Sequence, residues 1–223
     1  MKGLCAYAFS SIGQKTLMAV SGLGWALFAL SHMAGNLLIF AGPQAYNNYG
    51  HAIVSNPAIY VAEIGLIVLF LTHVIYALKT TIENSRARKS KYVVSKSGEK
   101  QASLASRTMK HQGLVILIFL FLHISAFKFG AYYAVDYGQG EIRDLFRLLF
   151  EKFQDPVYVW FYVVCVLLLG FHLSHGLYSG FQSIGFFHTK YTPILKCASV
   201  LYGLAIAVGF ASQPIYLHFI YQG

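Results

Sequence analysis

The chain is short of charge. Asp, Glu, Lys and Arg make up 11% of its 223 residues and hydrophobic residues 57%, whereas a soluble domain carries about 25% charged residues. That excludes an ordinary soluble domain and leaves an integral membrane protein. Cysteine is scarce as well. Cys5, Cys165 and Cys197 stand far apart with no C-x-x-C pair, so neither a disulfide framework nor a thiolate metal site is expected. A G-x-G-x-x-G turn is also lacking, which excludes a dinucleotide fold on this chain. Acidic residues number only 8 against 17 basic ones, for a net charge of +9. The basic residues crowd into one loop between apolar runs, a pattern that reports membrane topology rather than nucleic-acid binding.

Five apolar runs are present, each near the roughly 20 residues that a spanning helix needs. They extend from about Thr16 to Ala41, Pro57 to Leu78, His111 to about Ala134, Pro156 to Ser179 and about Cys197 to Phe219. The expected fold is a single all-α membrane domain over 1–223. Pro57 and Pro156 suit the first turn of a helix, where a fixed φ and a missing N–H cost nothing. Gly42-Pro43 ends the first run. The first run is too long, and Ser-Ile-Gly-Gln-Lys before it too short, for a cleaved signal peptide, so it counts as structure.

Lys and Arg set the expected orientation. Lys79, Arg86, Arg88, Lys89, Lys91, Lys96, Lys100, Arg107 and Lys110 surround the second loop, whereas 42–56 has no Lys or Arg. The basic loop is therefore expected in the cytoplasm, together with Lys2, Lys15, Lys190 and Lys196, and the C-terminus outside. Between the third and fourth runs, 141–153 places Ile142, Leu145, Phe146, Leu149 and Phe153 on one helical face. This amphipathic helix either lies flat on the outer membrane surface or covers the outer ends of the bundle.

Four histidines, His32, His73, His123 and His172, each occupy a different apolar run. An ionisable side chain in hydrocarbon needs a partner that offsets its burial cost. At 1.5 Å per residue, His32 lies about 5 Å outward of its run midpoint and His123 about 6 Å outward of the middle of the uncharged stretch His111 to Phe127, while His73 and His172 lie about 8 and 7 Å inward of their run midpoints. Four separate costs thus resolve into two pairs at two depths. Two imidazoles facing each other across a bundle supply the two axial nitrogens of a six-coordinate haem, so two haems are expected. A zinc or copper ion would gather its ligands at one level, and these levels differ by about 13 Å. Gly22 and Gly113, each ten residues before a histidine, are candidates for small residues beside the inner haem; glycine also serves plain helix packing.

His175, one turn beyond His172, is the rival ligand, at about 11 Å inward a poorer match to His73. His111 sits at the cytoplasmic edge, as a propionate partner or an interface marker, and His188 and His218 are interfacial. His51, in the uncharged outer loop, invites a functional reading. Lys15, Ser21, Lys79, His111 and Gln182 are propionate candidates by position.

Here the sequence resembles a known family. The runs Ser11-Ile-Gly-Gln-Lys-Thr-Leu-Met-Ala-Val-Ser-Gly22, Ser31-His-Met-Ala-Gly-Asn-Leu37 and Phe171-His-Leu-Ser-His-Gly-Leu-Tyr-Ser-Gly-Phe-Gln-Ser-Ile-Gly185 look like the di-haem cytochrome b membrane anchor of succinate dehydrogenase and fumarate reductase complexes. The likeness spans nearly the whole chain, including the order of the four histidines and the Lys190-Tyr-Thr-Pro193 opening of the last run. It implies four helices binding two haem b groups with a peripheral fifth helix. His32 and His123 would hold the outer, distal haem; His73 and His172 would hold the inner, proximal one. It implies a flavoprotein and an iron–sulfur protein as partners, lodged at the cytoplasmic face of a bacterial inner membrane, and leaves room for a dimer of the whole complex. The dicarboxylate chemistry belongs to the flavoprotein. This chain would pass electrons to or from a membrane quinone, menaquinone being usual for such anchors.

Glu63 is the only carboxylate within the five runs, about 7 Å outward of its midpoint and so near the outer pair. Such a residue is functional by default, and proton transfer at a quinone site is its expected role; a hydrogen bond inside the bundle or to a propionate is the plainer one. Some members of the resembled family carry a glutamate two residues before the fourth ligand. Here that position is Gly170, so a proton path of that kind is not implied. Two other readings stay open: a di-haem cytochrome b serving a hydrogenase or formate dehydrogenase, and a transporter using histidines as a proton relay.

Overall fold

A computed structural model describes residues 6, 7, 9–87, 104–138 and 140–222. Lys2, Cys5, Arg88, Lys89, Lys91, Lys96 and Lys100 lie outside the described residues. Among the described residues, five helices are long and apolar enough to cross a membrane. They are α1 (Ser11–Asn36, tightening into a 3-10 turn over Leu37–Ala41), α3 (Ala58–Ala87), α4 (Leu104–His123, continued as a π-helix over Ile124–Lys128), α6 (Pro156–Ser183) and α7 (Thr192–Phe219). The shorter elements are α2 (Pro43–Val54), strands β1 (Ala134–Asp136) and β2 (Glu141–Arg143), and α5 (Leu145–Lys152).

Most spanning helices outrun their apolar runs where Lys79, Arg86 and Arg107 gather. Polar residues extend a helix beyond hydrocarbon without breaking it, and a hydropathy window does not see them. Caps mark several starts: the Ser10 hydroxyl accepts from Gly13 N–H, and the Asp155 carboxylate from Val157 N–H. The third run, by contrast, stops early. Arg143 donates to the carbonyls of Phe127, Gly130 and Ala131 at 3.0–3.1 Å, and that guanidinium replaces the next helical turn at Lys128.

The helices pack in the order α3, α1, α6, α4, with α7 laid along α6 and touching α1. Small residues bring α6 and α7 together. A Cβ on Gly170 would stand 2.6 Å from the Gly203 carbonyl oxygen and 2.7 Å from Ala207 Cβ, so two backbones meet there with nothing between them. No larger side chain fits at 170, which explains the glycine physically. Ile206 and Leu217 of α7 are fully buried. Gly203→Val is expected to wedge the crossing open and destabilise the protein by about 3 kcal/mol. Thermal unfolding in detergent checks this, with Leu204→Val, at an exposed position, expected to leave the midpoint unchanged.

The end opposite the basic residues carries a cap. The segment 42–56, read from sequence as a loop, contains the twelve-residue α2. Gly42 takes φ +98 to break the chain direction, and Pro43 opens the new helix. Tertiary anchors hold it: fully buried Asn47 donates to Tyr137 Oη at 3.0 Å and Asp144 Oδ1 at 2.8 Å, and accepts from Phe146 N–H at 2.9 Å. The amphipathic stretch 141–153 is also divided. Its first three residues form β2, with Ile142 opposite Val135; Asp144 then caps α5 through Arg147 N–H. Phe146, Leu148, Leu149 and Phe153 are buried, so the apolar side of α5 is turned against the ends of the spanning helices.

Candidate functional site

Each of the four histidines projects from its own spanning helix and is half-buried. The His32 and His123 rings face each other with centroids 5.9 Å apart and planes at 86°. His73 and His172 do the same at 6.3 Å and 75°. In the packing order α3, α1, α6, α4, each pair joins helices that are not neighbours, so both cross a diagonal of the group. Gly22 touches His73 and Gly113 approaches His172; His32 and His123 lie ten residues further along α1 and α4, about 15 Å at the helical rise.

The second partners of the rings differ. His73 Nδ1 lies 3.0 Å from the Met18 carbonyl oxygen, which fixes Nδ1 as the donor and leaves Nε2 with its lone pair. His123 Nδ1 lies 3.3 Å from the Tyr162 hydroxyl. His32 Nδ1 lies 3.3 Å from the Asn36 amide nitrogen, and the ring stacks on Phe28 at 5.3 Å. His172 Nδ1 is buried with no hydrogen-bond partner among the described residues. Gly22 is a cradle that a side chain would fill: a Cβ there would come within 2.9 Å of His73 Cε1.

These distances bear on what the pairs can hold. A metal binds imidazole nitrogen at about 2 Å, and the nitrogen stands about 1 Å from its ring centroid, so two opposed ligands put their centroids about 6 Å apart. Both pairs meet that spacing. Among the described residues no three His, Cys, Asp or Glu side chains gather as a bare ion would require. Two imidazoles at that centroid spacing suit a macrocycle that brings its own equatorial ligands, and His172 Nδ1, buried and without a hydrogen-bond partner among the described residues, is the kind of atom expected beside a group that completes the site. The residues present fit haem.

His172, not His175, faces His73; His175 is half-buried one turn on. His111 is exposed and lines a largely apolar cleft with Gln112, Val115 and Phe171. His188 accepts from Lys190 N–H, His218 bonds the Phe153 carbonyl at 2.8 Å, and His51 borders a cleft with Asn48 and Tyr137. Of the propionate candidates, Ser21 is buried and donates to the Leu17 and Met18 carbonyls, and Lys79 reaches Glu83 at 3.9 Å. Lys15 and Gln182 are exposed.

Glu63 is paired with Lys128 at the end of the π-helix that follows His123. The wider π turn re-aims the residues after His123, and such turns concentrate at functional sites. Sequence reasoning missed Lys128, although it is the sole Lys or Arg between His111 and Ala134 and a cation was the natural partner for the only carboxylate at that depth. Tyr162 and Asn36 carried no sequence signal, being ordinary residues of apolar helices.

No protein-family model matches the chain, and neither a curated protein nor a solved structure matches it.

Proposed function

We propose that this chain is the cytochrome b membrane anchor of a succinate:quinone oxidoreductase, four of its spanning helices holding two b haems and α7 standing outside them. The observation that carries the reading is the two histidine pairs, each at the spacing of opposed axial ligands, about 15 Å apart along the helices. His32 and His123 would hold one haem, His73 and His172 the other. Each haem, when bound, would supply a one-electron carrier held by a pair of histidines, which favours electron transfer over binding of a further ligand. Around His32 and His123, Phe28, Phe119, Phe127 and Phe210 exclude water, and the Met18 carbonyl holds the His73 ring.

The basic end, with Lys15, Lys79, Arg86, Arg107, Lys110, Lys190 and Lys196, would face the cytoplasm of a bacterial inner membrane and receive the iron–sulfur protein, which carries electrons from the flavoprotein. Glu63, at the other end, would exchange protons with a quinone, menaquinone by resemblance.

Reduced-minus-oxidised spectra of the full complex test this. The expected result is two low-spin haems per chain, reducible by succinate when flavoprotein and iron–sulfur partners co-purify. Absence of any low-spin haem overturns the cytochrome reading. Haem that succinate never reduces, without those partners, overturns the assignment to this complex.

A further inference from the structure

We infer that Tyr162 is a positioning residue for His123 and sets the His32/His123 haem at a lower potential than it would have without that hydroxyl; this rests on the di-haem reading above. The Tyr162 hydroxyl is 3.3 Å from His123 Nδ1 and 3.3 Å from the Tyr158 hydroxyl. The side chain has no room to move away. Tyr162 is 5% exposed, and its ring is held by Tyr158, Phe119 and Phe153 at 4.8, 4.9 and 5.1 Å. None of the other three rings has a hydroxyl partner among the described residues: His73 Nδ1 donates to a backbone carbonyl, His32 lies near an amide nitrogen and His172 Nδ1 has no hydrogen-bond partner there.

With Nε2 committed to iron, Nδ1 keeps the ring hydrogen and donates it to Tyr162 Oη, and Tyr162 donates in turn to Tyr158 Oη, both hydroxyls being free to rotate into that polarity. An acceptor on the far nitrogen raises the basicity of the ligating one and fixes the ring plane. A more basic ligand favours ferric over ferrous iron, so the contact lowers the potential. Because the side chain is a positioning one and touches no reacting atom, its signature is a potential, not a loss of chemistry.

The test is potentiometric titration of Tyr162→Phe in the full complex, following both haems, with His123→Ala identifying which signal belongs to this pair. The phenyl ring keeps every packing contact, so a purely structural role predicts no shift. The expected result is both haems retained, the midpoint of the His32/His123 haem raised and the other unmoved, with Tyr158→Phe shifting the same midpoint upward by less. Loss of that haem alone also supports the inference, since the ring then needs the hydroxyl to ligate. An unchanged or lowered midpoint, equal shifts of both haems, or loss of both overturns it. Failure of the di-haem reading shows separately, as absence of two low-spin haems in the unsubstituted complex.

Discussion

His123→Ala is expected to leave the complex with one haem, and His32→Ala to leave it with the same one; His73→Ala and His172→Ala should each remove the other. Ring centroids 5.9 and 6.3 Å apart match the spacing of two imidazoles on a single iron, so on the proposed reading each pair would hold one haem, and ten residues of α1 and of α4 hold the pairs about 15 Å apart. No single substitution reaches both. A haem that keeps one axial histidine loses its low-spin spectrum even where it stays bound, so the effect is all or none in the absorption band. His175→Ala, one turn from His172, is expected to retain both haems. Size-exclusion profiles and co-purified partners show that the variants are assembled. If His32→Ala and His73→Ala removed one common haem, the pairing would be wrong.

Much of this arrangement is legible in the sequence because hydrocarbon is a strict solvent. Long apolar runs must be helices, helices have a fixed rise, and a residue number therefore becomes a depth; His32 and His123 come out level, and their ring centroids stand 5.9 Å apart. Rotation about each helix axis is also partly readable, since glycines ten residues before a ligand stand beside the opposite pair. The cap was not legible. Pro43–Val54 has neither a long apolar run nor a strong helical pattern, and what holds it is Asn47 reaching Asp144 and Phe146, 97 and 99 residues away. The end of α4 is set in the same way by Arg143 folding back on four carbonyls. Long-range polar contacts of this kind leave no local period.

The pairing of Glu63 with Lys128 belongs between these extremes, and it decides how Glu63 is to be tested. Glu63→Gln is expected to lower quinone-linked turnover by at least about 100-fold, the usual contribution of a positioned proton-transfer group, while succinate still reduces both haems. That result alone has two causes. Removing one member of an ion pair strands the other charge, here Lys128 in a span, and the damage can come from the stranded lysine rather than from lost proton transfer. Replacing both members with uncharged groups separates them, because a matched apolar pair costs little where a broken pair costs much. In Glu63→Gln with Lys128→Met, neither charge remains. If Glu63 exchanges protons with the quinone, the double variant stays at least about 100-fold down, and Lys128→Met alone, which keeps the carboxylate, retains more activity than either glutamine variant. Recovery of turnover in the double variant would make the pair a structural tie between α3 and α4 and would remove Glu63 from the quinone site.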